Sequence, residues 1–79
     1  MGYHKRQIAK GTLGTPSKIR EELEELEDAI EQGNTILAYC ELADLYGALE
    51  AVTERMGLTM DKVIIMAKAT RSAFEEGSR

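Results

Sequence analysis

Apolar residues return every three or four positions, and glycines cut that pattern into lengths. Ile19, Leu23, Leu26 and Ile30 follow at intervals of 4, 3 and 4 between Pro16 and Gly33. Such spacing lays one narrow apolar stripe along a helix. A second run, Ala38, Leu42, Leu45, Leu49, Val52 and Met56, ends at Gly57. A third helix is predicted from Thr59 to a stop at Gly77. Thr15 is the expected N-cap of the first helix, with Pro16 at the first helical position. Asn34 or Thr35 is expected to cap the second. Thr59 is expected to cap the third, with Asp61 well placed in its first turn. No stretch alternates apolar and polar residues between turn signals, so strands are not expected. The fold class is therefore all-α, with a three-helix protomer. Residues 1–14 form a basic leader, made flexible at its end by Gly11 and Gly14, and residues 15–79 form a single helical domain.

A chain of 79 residues is one domain at most. A domain this small buries only about 60% of the surface its unfolded chain exposes. Disulfides within the chain are excluded, because Cys40 is its only cysteine. A lone cysteine fits a reducing, cytoplasmic setting. Metal and oligomerisation remain as sources of stability. Val63, Ile64, Ile65 and Met66 are consecutive and point all around a helix axis. Ile36, Leu37, Tyr39 and Tyr46 lie outside the main stripe of the second helix. This excess of apolar surface predicts a homo-oligomer, dimer or tetramer. The net charge is −4, which argues against non-specific nucleic-acid binding. No apolar run approaches a membrane span, and MGYHKRQIAKG lacks the apolar core of a secretory signal.

Two acid pairs stand out, Glu22/Glu25 and Glu41/Asp44, each spaced i and i+3. On each helix the first acid lies about 60° from the centre of the apolar stripe and the second about 120°. Glu21, Glu24, Glu27 and Asp28 point further away. An antiparallel hairpin packed stripe on stripe brings the two flanks together at the edge of the core. Glu41 and Asp44 are the only charges in the 15 residues from Thr35 to Leu49, and acids there are costly unless paired or bound to metal. Four convergent carboxylates cannot all stay ionised without a counter-charge. Mg²⁺ suits such oxygen ligands, and Mn²⁺ would fit the same set. Zinc is disfavoured: His4 is in the leader and Cys40 faces away from the Glu41/Asp44 edge.

KIREELEELEDAI followed by ELADLYGALEAV resembles the signature of the MazG-like all-α nucleoside triphosphate pyrophosphohydrolases, which is EExxE, a spacer, then ExxD. Glu21-Glu22-Leu23-Glu24-Glu25 matches the first half and Glu41-Leu42-Ala43-Asp44 the second. Lys68, Arg71, Phe74 and Gly77 resemble a later part of the pattern, although Ser72 and Ala73 stand where many relatives have glycines. The resemblance covers about residues 17–77. It implies cleavage of a (deoxy)nucleoside triphosphate between the α and β phosphates, giving a monophosphate and pyrophosphate, with magnesium as the usual ion. It also implies dimers or tetramers built on a four-helix bundle. The same superfamily includes phosphoribosyl-ATP and dUTP/dCTP pyrophosphohydrolases.

The metal ligands expected on this basis are Glu22, Glu25, Glu41 and Asp44. Glu22 or Glu25 is the expected proton acceptor from the attacking water. Lys68 and Arg71 are expected to neutralise the phosphates, with Lys18 and Lys10 as further phosphate-binding candidates. A leader bearing Lys5, Arg6 and Lys10 could close over a triphosphate. GTLGTPSK lacks the spacing and the preceding strand of a phosphate loop. Tyr46, Phe74 and Cys40 are expected in the core, and Met56, Met60 and Met66 in core or interface. The alternative function is a non-catalytic helical module, a dimeric adaptor or inhibitor that retained the fold.

Overall fold

Of the expected caps, one is made by its own side chain. Asn34 Oδ1 accepts the backbone N–H of Leu37 at 3.0 Å. Thr15 and Thr59 occupy the N-cap positions without side-chain cap bonds. Thr15 Oγ1 instead donates to the Thr12 carbonyl and shares a hydrogen bond with Ser17 Oγ. The computed structural model describes residues 3–79. Met1 and Gly2, the start of the leader, lie outside the described residues. The elements are α1 (Pro16–Glu31), α2 (Thr35–Arg55) and α3 (Met60–Glu76). No strand occurs among the described residues, and no helix among them is long and apolar enough to cross a membrane. Gly33 takes φ of 68°, a left-handed conformation that lets α1 stop and the chain turn back.

Helices α1 and α2 form an antiparallel hairpin. Ala29 and Ala38 lie together near its turn, and Glu22 lies beside Asp44, Gly47 and Ala48 further along. The packed face differs from the expected one. Leu23 and Ile30 are 44% and 62% exposed while Ile19 and Leu26 are half-buried, so only part of the apolar stripe of α1 meets the core. Its buried residues are Glu21, Glu22, Asp28 and Ala29, and those of α2 are Glu41, Ala48 and Thr53. The hairpin meets on small side chains and carboxylates. The first acid of each pair, Glu22 and Glu41, is thereby turned into the interface, while Glu25 is half-buried and Asp44 stays at its edge.

The leader is an ordered strap rather than a flexible end. His4 bonds to Asp28 and Glu41, and the Lys5 backbone N–H donates to Asp28 Oδ2 at 3.0 Å. Arg6 pairs with Glu27 and Glu31. Further along, the Gly11 N–H donates to Glu21 Oε1 at 2.8 Å. Gly11 lies so close to the start of α1 that a Cβ there would collide with the Ser17 carbonyl and the Lys18 nitrogen. The glycine is required by that close approach, not by flexibility. This strap buries Glu21 and Asp28, two acids expected to point outward.

Helix α3 packs on α2 alone and buries none of its residues. Thr53 Oγ1 lies 3.7 Å from Met60 Sδ where the two helices meet. Tyr46 and Phe74, expected in the core, are exposed in the protomer. Cys40 is likewise exposed rather than buried. The reason is common to all three: no second element covers the outer faces of α2 and α3.

Candidate metal centre

Helix geometry sets the centre. Residues at i and i+3 share a face, so Glu22 and Glu25 project together from α1 and Glu41 and Asp44 from α2. The hairpin gathers all four, and one carboxylate oxygen from each lies within 4.8 Å of the others. Glu22 and Glu41 are only 4% and 5% exposed, Glu25 is half-buried and Asp44 is open to solvent. The burial cost therefore falls on Glu41 and not on Asp44. Two buried oxygens, Glu22 Oε1 and Glu41 Oε1, have no hydrogen-bond donor among the described residues. A buried acceptor without a donor costs free energy, and either a proton on the neighbouring Glu25 or a cation could offset that cost.

Crowding is visible in protonation. Loss of hydration, a hydrogen bond with Glu41 and the charge of Glu22 push the Glu25 pKa up to about 7. Glu21 differs. Burial acts to raise its pKa, but the Gly11 N–H, the Lys18 ammonium and the charge of Lys10 outweigh that and hold it below the ordinary value. Asp28 is also held low: partial desolvation is overcome by His4, the Lys5 N–H and Gln32.

His4 was not expected at the centre, and the fold brings it there. Its Nδ1 lies 2.9 Å from Asp28 Oδ2 and its Nε2 2.9 Å from Glu41 Oε2. Nε2 is also 3.9 Å from Glu25 Oε1. Ionised carboxylates accept only, so an imidazole that bonds two of them does so by donating from both nitrogens in its charged form. Burial lowers the His4 pKa, but the Asp28 and Glu41 bonds and the charges of Glu41 and Glu25 raise it overall. Within the sequence only the lone histidine in a basic leader hinted at this; nothing local links residue 4 to residues 28 and 41.

The basic residues divide. Lys18 Nζ lies 3.1 Å from both Glu21 and Glu22, at the mouth of the centre. Lys10 reaches Glu21 at 3.6 Å from an exposed position. An open cleft of about 440 Å³ beside the acids is lined by Leu13, Lys18, Glu22, Ala43, Asp44, Gly47 and Ala48. Lys68 and Arg71 instead line a separate groove between α2 and α3, with Tyr46, Leu49 and Met60 among its walls. Arg71 is paired with Glu75 at 3.2 Å. No family model matches the chain, and no curated protein or solved structure matches it either.

Proposed function

We propose that the chain is a divalent-metal-dependent nucleotide pyrophosphohydrolase that converts a (deoxy)nucleoside triphosphate to a monophosphate and pyrophosphate. The observation that carries this reading is the gathering of Glu22, Glu25, Glu41 and Asp44 from two helices, with two buried oxygens left unpartnered. The four carboxylates are hard oxygen donors, open on one side through Asp44, which suits Mg²⁺ that keeps sites for phosphate and water. Bound there, the ion would neutralise phosphate charge and activate water for attack on phosphorus.

The protein's own groups supply the rest. Lys18, at the mouth of the cleft, can turn from Glu21 and Glu22 to a phosphate that enters, since lysine is a flexible point charge. Glu22 lines the cleft and Glu25 does not, so Glu22 is the better placed acceptor for the proton of the attacking water. Lys68 and Arg71 serve the leaving phosphates only where a second copy lays α3 against the cleft. The exposed outer faces of α2 and α3 favour that homo-oligomer, built as a four-helix bundle.

Hydrolysis in ¹⁸O-labelled water is the test. Label is expected in the monophosphate, with pyrophosphate unlabelled and no diphosphate accumulating. Glu41→Gln is expected to lose most activity, since it removes a ligand charge worth several kcal/mol to the transition state. Release of labelled inorganic phosphate would make the chain a γ-phosphatase instead.

A further inference from the structure

We propose that His4 is itself a metal ligand, so that the centre takes a first-row transition ion through one imidazole nitrogen and the carboxylates of Glu25 and Glu41. This rests on the centre being a metal site but not on its cleaving nucleotides. Nε2 of His4 and one oxygen from each of Glu25 and Glu41 lie within 4.8 Å of one another. Nε2 lies 2.9 Å from Glu41 Oε2 and 3.9 Å from Glu25 Oε1, both within the roughly 4.4 Å that separates donors across one ion with ligand bonds of about 2.0–2.2 Å. The independent sign of a missing partner is Glu41 Oε1, on a residue only 5% exposed, to which no N–H or O–H donor fixed among the described residues is directed.

The other side of the ring is built as a support. Asp28, 2% exposed, holds Nδ1 at 2.9 Å and is fixed in turn by the Lys5 N–H at 3.0 Å and Gln32 Nε2 at 2.9 Å. A carboxylate that orients a histidine through its far nitrogen is the usual arrangement behind a metal-ligating imidazole. Nε2 is thereby aimed at Glu25 and Glu41, and an ion would take the place of any proton between Nε2 and Glu41 Oε2, that proton leaving to solvent. Imidazole nitrogen suits Fe²⁺ or Zn²⁺ better than the hard Mg²⁺ ion, and Mn²⁺, which favours carboxylates, serves as the paramagnetic probe of whether the ring binds. The leader then selects among metals, which an all-carboxylate set does weakly.

His4 is the only histidine in the chain, so imidazole coupling to a bound ion has a single source. The experiment uses the full, tag-free chain, stripped with chelator and loaded with Mn²⁺ alone. Pulsed electron paramagnetic resonance is expected to detect a directly coupled ¹⁴N nucleus. His4→Gln is expected to abolish that coupling and to weaken Mn²⁺ binding by about 10-fold or more while changing Mg²⁺ binding much less. Asp28→Asn is expected to weaken Mn²⁺ about 10-fold, the scale of a lost orienting carboxylate. Mn²⁺ bound without ¹⁴N coupling in the unmodified protein would overturn the assignment and leave the hydrolase reading standing. Coupling together with no nucleotide cleavage would support the assignment and remove the hydrolase. No Mn²⁺ binding at all would overturn both.

Discussion

At Glu25, loss of hydration and the neighbouring carboxylates act in the same direction, and the folded pKa of about 7 lies well above the ordinary 4.5. Below about pH 4.5 the residue is protonated in folded and unfolded chains alike. From there to about pH 7 the folded chain keeps a proton that the unfolded chain has lost, so stability falls as pH rises. His4, with its raised pKa, extends the decline above its ordinary 6.5. Glu21 and Asp28 have lowered values, so their contribution is present at neutral pH and is lost on acidification through those values. Calorimetry in chelator should therefore show the thermal midpoint dropping between about pH 4.5 and 7. Glu25→Gln should flatten that part of the curve and leave the acid limb in place. An unchanged slope in this variant would show that Glu25 does not carry the crowding. Millimolar Mg²⁺ should remove the decline as well, because a cation supplies the charge that the proton supplied.

Among the elements, the helices were legible and the strap was not. Pro16, Asn34 and the glycines after each helix act through their immediate neighbours, so a linear reading finds them. The two acid pairs were legible for the same reason, since i and i+3 fix a shared face. Which face packs most tightly was not: of the stripe Ile19, Leu23, Leu26 and Ile30, only Ile19 and Leu26 are half-buried, and the rest is left uncovered in the protomer. The strap has no periodicity at all. Its course is set by Asp28, Glu21 and Glu41 from α1 and α2, far along the chain. Gly11 is where this can be tested. Gly11→Ala forces a methyl group into the Ser17 carbonyl, an overpacking that costs about 1–3 kcal/mol. The strap should then lift, and the Lys5 amide should lose its protection from hydrogen exchange while α2 amides keep theirs. Retained protection at Lys5 would mean that the approach can relax without releasing the strap.

On the scale of the whole molecule, the protomer is looser than its length requires. A 79-residue domain should have a radius of gyration of about 12 Å, and this one has 14.2 Å. The difference comes from α3, which leans on α2 without reaching α1. Tyr39, Leu42, Tyr46 and Leu49 lie exposed along α2 at intervals of 3, 4 and 3, and Ile65 and Met66 lie exposed on α3. Light scattering at micromolar concentration is expected to give a dimer or tetramer. Leu42→Asp combined with Ile65→Asp should shift it to monomer with a lower thermal midpoint. A folded monomer of the unmodified chain would defeat the assembly. The strap also gives folding an order. The hairpin closes locally through the turn at Gly33, whereas His4 must find partners 24 and 37 residues away. Long loops close later than short ones. For an interval, then, the nascent hairpin holds its carboxylates together with no imidazole between them, and their repulsion works to reopen it. The leader's ring, once it reaches Asp28 and Glu41, is then the latch that holds the hairpin closed.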